Sequence, residues 1–341
     1  MTEEKKKVSI ALDCMGGDYA PTEIVKGAIT AARTWNIKIF LVGKKSPIEE
    51  ELQKYDISAL DLEVVQADSI IEMGESPAKA VLKKKDSSIV VAVGLVEEGK
   101  AQAFVSAGNT GACMAASLIR LGRLTGIERP AIAALLPTLN RKPAILIDAG
   151  ANAECDTKML IQFAQMGSIF SSKVVGVENP RVGILNIGGE ASKGNTLMLG
   201  AYKALKDNPG GINFVGNVEG REVFLGEVDV LVCDGFSGNV TLKVAEGVAK
   251  MLMQILRSEL SHDFRNQLGA FLAKPAFKRV KKRLDYEEYG GSLLLGVNGI
   301  TVIAHGGSND SAIKNAIRVG MESVEKDVTS KIIGMCEMSA V

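Results

Sequence analysis

The chain repeats one pattern: a short apolar, β-branched run, a cluster of Gly, Asn, Ser or Asp, and then apolar positions at helical spacing. Runs at residues 8–12, 103–107, 144–147, 182–187, 228–232 and 299–304 fit it. The first leads into Asp13-Cys14-Met15-Gly16-Gly17-Asp18, with a helix predicted from about Pro21. The second leads into Gly108-Asn109-Thr110-Gly111 and an amphipathic run to Leu121. The others end in Asp148-Ala149-Gly150-Ala151-Asn152, Gly188-Gly189-Glu190-Ala191-Ser192-Lys193-Gly194-Asn195, Cys233-Asp234-Gly235-Phe236-Ser237-Gly238-Asn239 and His305-Gly306-Gly307-Ser308-Asn309-Asp310. Near-continuous apolar strands alternating with helices predict an α/β chain with a mostly parallel sheet covered on both faces. Loops that follow the strands of such a sheet gather at one edge, where ligands bind. One site is therefore expected there, in a single unit spanning residues 1–341, because no Pro/Ser linker, internal repeat or low-complexity tract divides the chain.

A loop of small residues that opens a helix presents free backbone N–H groups where the helix favours negative charge. Ser106-Ala107-Gly108-Asn109-Thr110-Gly111 fits best, since hydroxyl and amide side chains accompany the backbone donors. One such loop needs no ligand, because tight turns require glycine anyway. Six on one predicted edge point to an anion site. Nucleotide fingerprints are absent: Gly16-Gly17 is not GxGxxG, and Lys193 precedes Gly194 instead of following a glycine ahead of Ser or Thr. Gly235-Phe236-Ser237-Gly238 is not the GxSxG elbow of hydrolases. Lys193 either neutralises an anionic substrate or developing oxyanion, or is a solvated surface lysine. His305, closing an apolar strand, can donate to a leaving group or hold a neighbour. Asp13, Asp148 and Asp234 each close a strand, where they orient site groups or cap the turns that follow. Cys14, Cys155 and Cys233 flank the same loops and read as buried, inert thiols.

Composition narrows the classes. Hydrophobic residues at 46% and charged residues at 23% exclude wholesale disorder. Forty basic and forty acidic side chains argue against a dedicated nucleic-acid binder. No apolar run reaches the length of a spanning helix, and Lys5, Lys6 and Lys7 precede a stretch too short for the core of a signal peptide. Five scattered cysteines without a CxxC pair read as reduced thiols in the cytoplasm, and two histidines leave no His-rich metal site. One local asymmetry stands out. Residues 265–283 carry seven basic side chains and no acid. Leu252, Leu256, Leu260, Phe264, Leu268 and Leu272 recur every four residues, a row that drifts by about 40° per step around a helix. Gly269 and Pro275 are expected to interrupt it. Residues 250–288 thus form a basic amphipathic helical segment, suited to an anionic membrane surface or an acidic partner, or else an ordinary solvated helix.

Taken in order, Asp13-Cys14-Met15-Gly16-Gly17-Asp18-Tyr19-Ala20-Pro21, Ser106-Ala107-Gly108-Asn109-Thr110-Gly111, Asp148-Ala149-Gly150-Ala151-Asn152 and Cys233-Asp234-Gly235-Phe236-Ser237-Gly238-Asn239-Val240 closely resemble the acyl-acyl carrier protein:phosphate acyltransferase family, PlsX-type, from Asp13 to about Asn315. Cys14 stands where Ala is common, Tyr19 where His is common, and Gly307 in a loop that often carries Ser. An imidazole role at position 19 does not carry over. The resemblance implies a three-layer α/β/α fold, related to isocitrate dehydrogenases and phosphotransacetylases, from which the amphipathic segment protrudes. It implies a homodimer that converts acyl-acyl carrier protein and inorganic phosphate to acyl phosphate and free carrier, for phospholipid synthesis. Such proteins act in the cytoplasm, peripherally at the inner face of the membrane, and hand acyl phosphate to a membrane glycerol-phosphate acyltransferase. Phosphate is then the nucleophile, so no protein nucleophile, metal or cofactor is required. On this reading Gly16, Gly17, Ser106, Gly108, Asn109, Thr110 and Gly111 cradle phosphate, Lys193 neutralises charge, Asn239 polarises the carbonyl and His305 assists the thiolate. Asp13, Asp148 and Asp234 orient the site; Leu268, Phe271, Leu272 and Phe277 contact the membrane. The nearest alternative is a phosphotransacetylase-like enzyme using acyl-CoA; a nucleotide-binding regulatory module and a membrane-bound scaffold are the others.

Overall fold

The computed structural model describes residues 7–140, 142–284 and 290–339, with backbone alone at 281, 282, 284 and 336–339. The described strands are β1 (Ser9–Asp13), β2 (Lys38–Gly43), β3 (Leu62–Gln66), β4 (Ala103–Ser106), β5 (Ala131–Leu136), β6 (Ala144–Ile147), β7 (Arg181–Asn186), β8 (Asn213–Glu219), β9 (Val230–Val232), β10 (Ser292–Leu295) and β11 (Ile300–Ile303). The helices are α1 (Thr22–Thr34), α2 (Lys45–Leu52), α3 (Pro77–Lys83), α4 (Ser88–Glu97), α5 (Thr110–Arg120), α6 (Thr157–Phe170), α7 (Thr196–Asp207), α8 (Gly235–Leu260), α9 (Phe264–Leu284), α10 (Asp310–Glu325) and α11 (Val328–Ser339). Each apolar run of the sequence coincides with a strand to within two residues at either end. All eleven strands join one sheet in the order β3-β2-β1-β4-β11-β10-β5-β6-β9-β7-β8.

Most neighbours are parallel, but β10 runs antiparallel to both β11 and β5, and β5 antiparallel to β6. Hence β3, β2, β1, β4 and β11 point one way, and β6, β9, β7 and β8 point the other. The residues 296–299 that join β10 to β11 are too few for a crossover, so this pair has to be antiparallel. This corrects the expectation of a single loop-bearing edge. Val302, Leu293, Ala133 and Ile147 lie in one row across the sheet. Val105 and Leu12 extend it on one side, Val232 and Ile184 on the other. Strands of both groups end just past that row, so their loops converge on the centre from opposite directions.

Alternation along the strands makes the layers. Ile10, Leu12, Ile39 and Leu41 face one continuous core with Ile24 and Ile29 of α1, Phe163 of α6 and Ile313 and Ile317 of α10. On the other face the core divides. One cluster gathers Ala11, Phe40 and Phe104 under α4 and α5; the other gathers Ile132, Leu146, Leu231 and Leu294. The divide falls between β11 and β10, in the middle of the sheet.

Helix α8 starts inside the body and leaves it. Its first turn presses on the loop after β6 at two points: a Cβ on Gly238 would lie 1.9 Å from the carbonyl oxygen of Asp148, and one on Gly235 would lie 2.6 Å from that of Asn152. Among its residues only Gly235 and Gly238 are buried. The helix then turns at residues 261–263 into α9, and the pair forms a protruding hairpin. Against expectation, α9 runs unbroken through Gly269 and Pro275. The carbonyl that Pro275 leaves without a helical donor belongs to Phe271, an exposed residue within reach of water. Arg283 brings the hairpin back to the body by donating to the carbonyls of Thr138 and Leu139. Residues 285–288 of the predicted segment lie outside the described residues.

Candidate active site

The loops after β1, β4 and β11 pack backbone against backbone. Asp13, fully buried, accepts from the Ser106 hydroxyl at 2.7 Å and from the Met15 N–H at 3.0 Å. Ser106 in turn accepts from the Gly108 N–H at 2.9 Å. A Cβ on Gly16 would lie 2.4 Å from Asp13 Oδ2 and 2.6 Å from the Gly108 nitrogen, so only glycine fits. The Asp18 N–H donates to the Gly306 carbonyl at 2.8 Å and ties in the third loop. Burial raises the Asp13 carboxyl above its usual range, against the hydrogen bonds from Ser106, Ser88, Met15 and Gly16.

Asn109 caps α5: its side-chain oxygen accepts from Ala112 N–H at 3.0 Å, while its Nδ2 donates to the Glu72 and Met73 carbonyls. The sequence suggested that the Ser106 hydroxyl and Asn109 amide would meet phosphate directly; both are instead engaged in holding the loop. The donors left for an anion at this helix start are the N–H groups of Thr110 and Gly111, which have no acceptor within the helix, and the exposed Thr110 side chain.

The opposing group builds the other wall. Asp148, fully buried, accepts from the N–H groups of Ile132, Gly150, Ala151 and Asn152 and from the Asn152 side chain. Burial raises its carboxyl too. The loop so fixed turns through Gly150 at φ 129°, and Asn239 packs over it, 3.5 Å from where a Cβ would stand. Asp234 caps α8, accepting from the Ser237 N–H and hydroxyl at 2.8 Å each. The three aspartates are thus loop holders and a cap.

Between the walls lies a cleft of about 160 Å³. Thr110 and His305 line it from one group; Ala149 and, from α8, Asn239, Leu242, Lys243 and Glu246 line it from the other. Its floor is apolar, from Ile132, Ala134 and Leu135 of β5 and Ile303 of β11. His305 Nδ1 accepts from the Gly307 N–H at 3.1 Å, which puts the neutral ring's proton on Nε2. Partial burial, then the charge of Lys243, lowers the imidazole pKa. Lys243 pairs with Glu246 at 3.0 Å. Neither residue stood out in the sequence, although Lys243 and Glu246 follow Asn239 at spacings of four and seven, one helix face.

Lys193 is not among the cleft-lining residues of the chain. It sits in the exposed loop after β7, its N–H donating to the Glu190 carbonyl and its own carbonyl accepting from Asn186. Burial pushes the thiols up, Cys113 to about 12 and Cys155 to about 11, with Cys14 and Cys233 raised as well. None is activated as a nucleophile. No cluster of three or more metal-ligating side chains occurs among the described residues. On α9, Leu268, Phe271 and Leu272 are exposed on one side together with Phe264, at 78% exposure the most open of them. Phe277 does not join them: it is half-buried, six residues beyond Phe271 and so about 120° around the helix. No described helix is long and apolar enough to cross a membrane.

Known proteins share both the sequence and the fold. The family described as fatty acid synthesis protein matches residues 8–331. The phosphate acyltransferase of Heliobacterium modesticaldum is 55% identical over 324 residues, 95% of this chain and 96% of that protein. That of Dictyoglomus turgidum is 50% identical over 326 residues, 96% and 97% of the two chains. A phosphotransacetylase from Streptococcus pyogenes superposes with a TM-score of 0.66 at 16% identity, over 94% of this chain and 95% of that one, a likeness of fold. The three-layer α/β/α architecture and its likeness in fold to phosphotransacetylases hold. With nearly every residue from Val8 to Lys331 matched, the chain belongs to the fatty acid synthesis protein family.

Proposed function

We propose that this protein is a phosphate acyltransferase that moves a fatty acyl group from the thioester of acyl-acyl carrier protein to inorganic phosphate, giving acyl phosphate for phospholipid synthesis. The observation that carries it is the cleft itself: the N-terminus of α5, the side chains of His305 and Asn239 and an apolar floor line one space. An anion and an acyl thioester are what such a cleft accommodates side by side. Phosphate, held by the Thr110 and Gly111 N–H groups near the Gly16-Gly17 turn, attacks the thioester carbonyl carbon through one oxygen. The C–O bond forms as the C–S bond breaks, and the sulfur leaves as thiolate. Asn239 donates to the carbonyl oxygen as it gains charge, and His305 Nε2–H hydrogen-bonds the departing sulfur. Lys193 acts from its exposed loop on the charge of the incoming anion.

The finer assignments rest on surfaces. A row of exposed apolar residues along α8 (Phe236, Val240, Val244, Val248, Met251, Ile255) supports a homodimer that covers it. The exposed Leu268, Phe271 and Leu272, flanked by Arg265, Lys274, Lys278 and Arg279, support peripheral contact with an anionic membrane on its cytoplasmic face. There the product passes to a membrane glycerol-phosphate acyltransferase.

The test is acyl phosphate formation by the purified chain, trapped with hydroxylamine, with acyl-acyl carrier protein and with acyl-CoA as donors. Phosphate-dependent product from the carrier-linked donor is expected. Product from acyl-CoA alone would replace this reading with a phosphotransacetylase-type reaction, and product from neither would remove it.

A further inference from the structure

Helix α8 carries a polar row that begins in the cleft and continues outside it. At 100° per residue, Asn239, Lys243, Glu246, Lys250 and Arg257 fall within a sector of about 60°. The first three line the cleft, so the row is aimed into it. Within the cleft the cation of Lys243 is matched by Glu246 at 3.0 Å. Lys250 is exposed and forms no ion pair among the described residues, yet it is close enough for its charge, with that of Lys243, to bear on His305. An unpaired cation thus stands at the mouth, two turns beyond the last cationic residue of the lining.

Its distance decides what it can bind. Lys250 lies eleven positions beyond Asn239, about 16 Å along the axis. An attacking phosphate has to lie in contact with the thioester carbonyl, so Lys250 is too remote to hold the nucleophile. A second anion at that range is a part of the donor. Thioester donors of this class carry their acyl group on a long, thin pantetheine arm that ends in a phosphate ester. With the acyl chain on the apolar floor and the carbonyl at Asn239, the arm runs out along the polar row of α8 and its terminal phosphate comes to the next cation. We infer that Lys250 binds the phosphate of the donor's phosphopantetheine arm and so makes the enzyme selective for phosphorylated donors. The inference deepens the acyl-transfer reading and rests on it.

The experiment compares kcat/KM for S-acyl-phosphopantetheine and S-acyl-pantetheine bearing the same acyl chain, at saturating inorganic phosphate. The full chain is used as wild type and as Lys250→Ala, Lys250→Glu and Lys250→Arg. The wild type should prefer the phosphorylated donor. That preference should fall about three- to fivefold in Lys250→Ala, as for loss of one exposed ion pair. It should fall about tenfold in Lys250→Glu, where repulsion is added, and return in Lys250→Arg. A misfolded variant would lose both donors together and leave the ratio alone, so the ratio reads the phosphate contact. An equal preference in all four proteins overturns the inference. Lys250→Glu with its preference intact but weaker co-sedimentation with anionic vesicles also overturns it and gives the cation to a lipid headgroup. Acyl phosphate from neither donor in the wild type is a different failure: it removes the acyl-transfer reading and this inference with it.

Discussion

His305 stands in the cleft among charged side chains from two elements. The groups around its ring are Lys243, Glu246 and Lys250 on α8 and Asp18 on the loop after β1. Burial and Lys243 both favour the neutral imidazole, the form that donates from Nε2. Lys243→Ala removes a positive neighbour and frees Glu246, and both changes make protonation easier. The His305 pKa should therefore rise, and the acid limb of the rate–pH profile should move to higher pH with it. The chain has two histidines, so a His262→Gln background isolates the His305 resonance for NMR titration. An unshifted titration in Lys243→Ala would sever the two residues. Sequence reading reached His305 and Asn239, because strand-end loops are visible in the pattern. It passed over Lys243, because its place in the site depends on the phase of a helix and on where that helix leaves the body. It also assigned Ser106 and Asn109 to phosphate on their chemistry, whereas their partners, Asp13 and the Glu72 and Met73 carbonyls, come from distant segments that no local pattern links to them.

Between elements, one close contact that sets the site joins the β1 and β4 loops. Gly16→Ala would drive a methyl into Asp13 Oδ2 and the Gly108 backbone, neither of which is a flexible chain end. Overpacking of this kind costs about 1–3 kcal/mol. Gly74→Ala, with nothing within 4 Å of its Cβ, is the control and should stay within about 0.5 kcal/mol of wild type. Urea unfolding distinguishes them; equal midpoints would mean that the loops are not in contact. The α/β alternation and the strand before every glycine loop were legible, since buried strands and glycine turns leave local marks. Strand direction was not. A single residue row across β4, β11, β10, β5 and β6 depends on β10 and β11 entering the middle of the sheet from late in the chain, and apolar runs look alike in either orientation. The same blindness placed a break at Pro275, where an exposed helix tolerates a lost hydrogen bond.

At the scale of the whole molecule, the α8–α9 hairpin runs from the cleft, which α8 helps to line, out to an exposed apolar surface on α9. Phe271 is 71% and Leu272 72% exposed, an apolar tip with cations around it. Burying a phenylalanine side chain is worth about 1.5–3 kcal/mol, so Phe271→Glu should weaken co-sedimentation with anionic vesicles by about tenfold or more. Pelleting equal to wild type would assign the tip to another partner. The central position of β10 and β11 has a further consequence, for how the protein is made. Until residues 292–303 have been synthesised, β4 and β5 each keep an unpaired edge and the two halves of the sheet have no seam between them. Open edges recruit other chains, and long-range pairings form slowly. A nascent chain stalled before Ser292 therefore has the loops after β1, β4 and β6 translated but not joined, and still lacks the loop after β11 that carries His305. The last hairpin of the sheet works as a keystone, joining its two halves and closing the floor of the cleft.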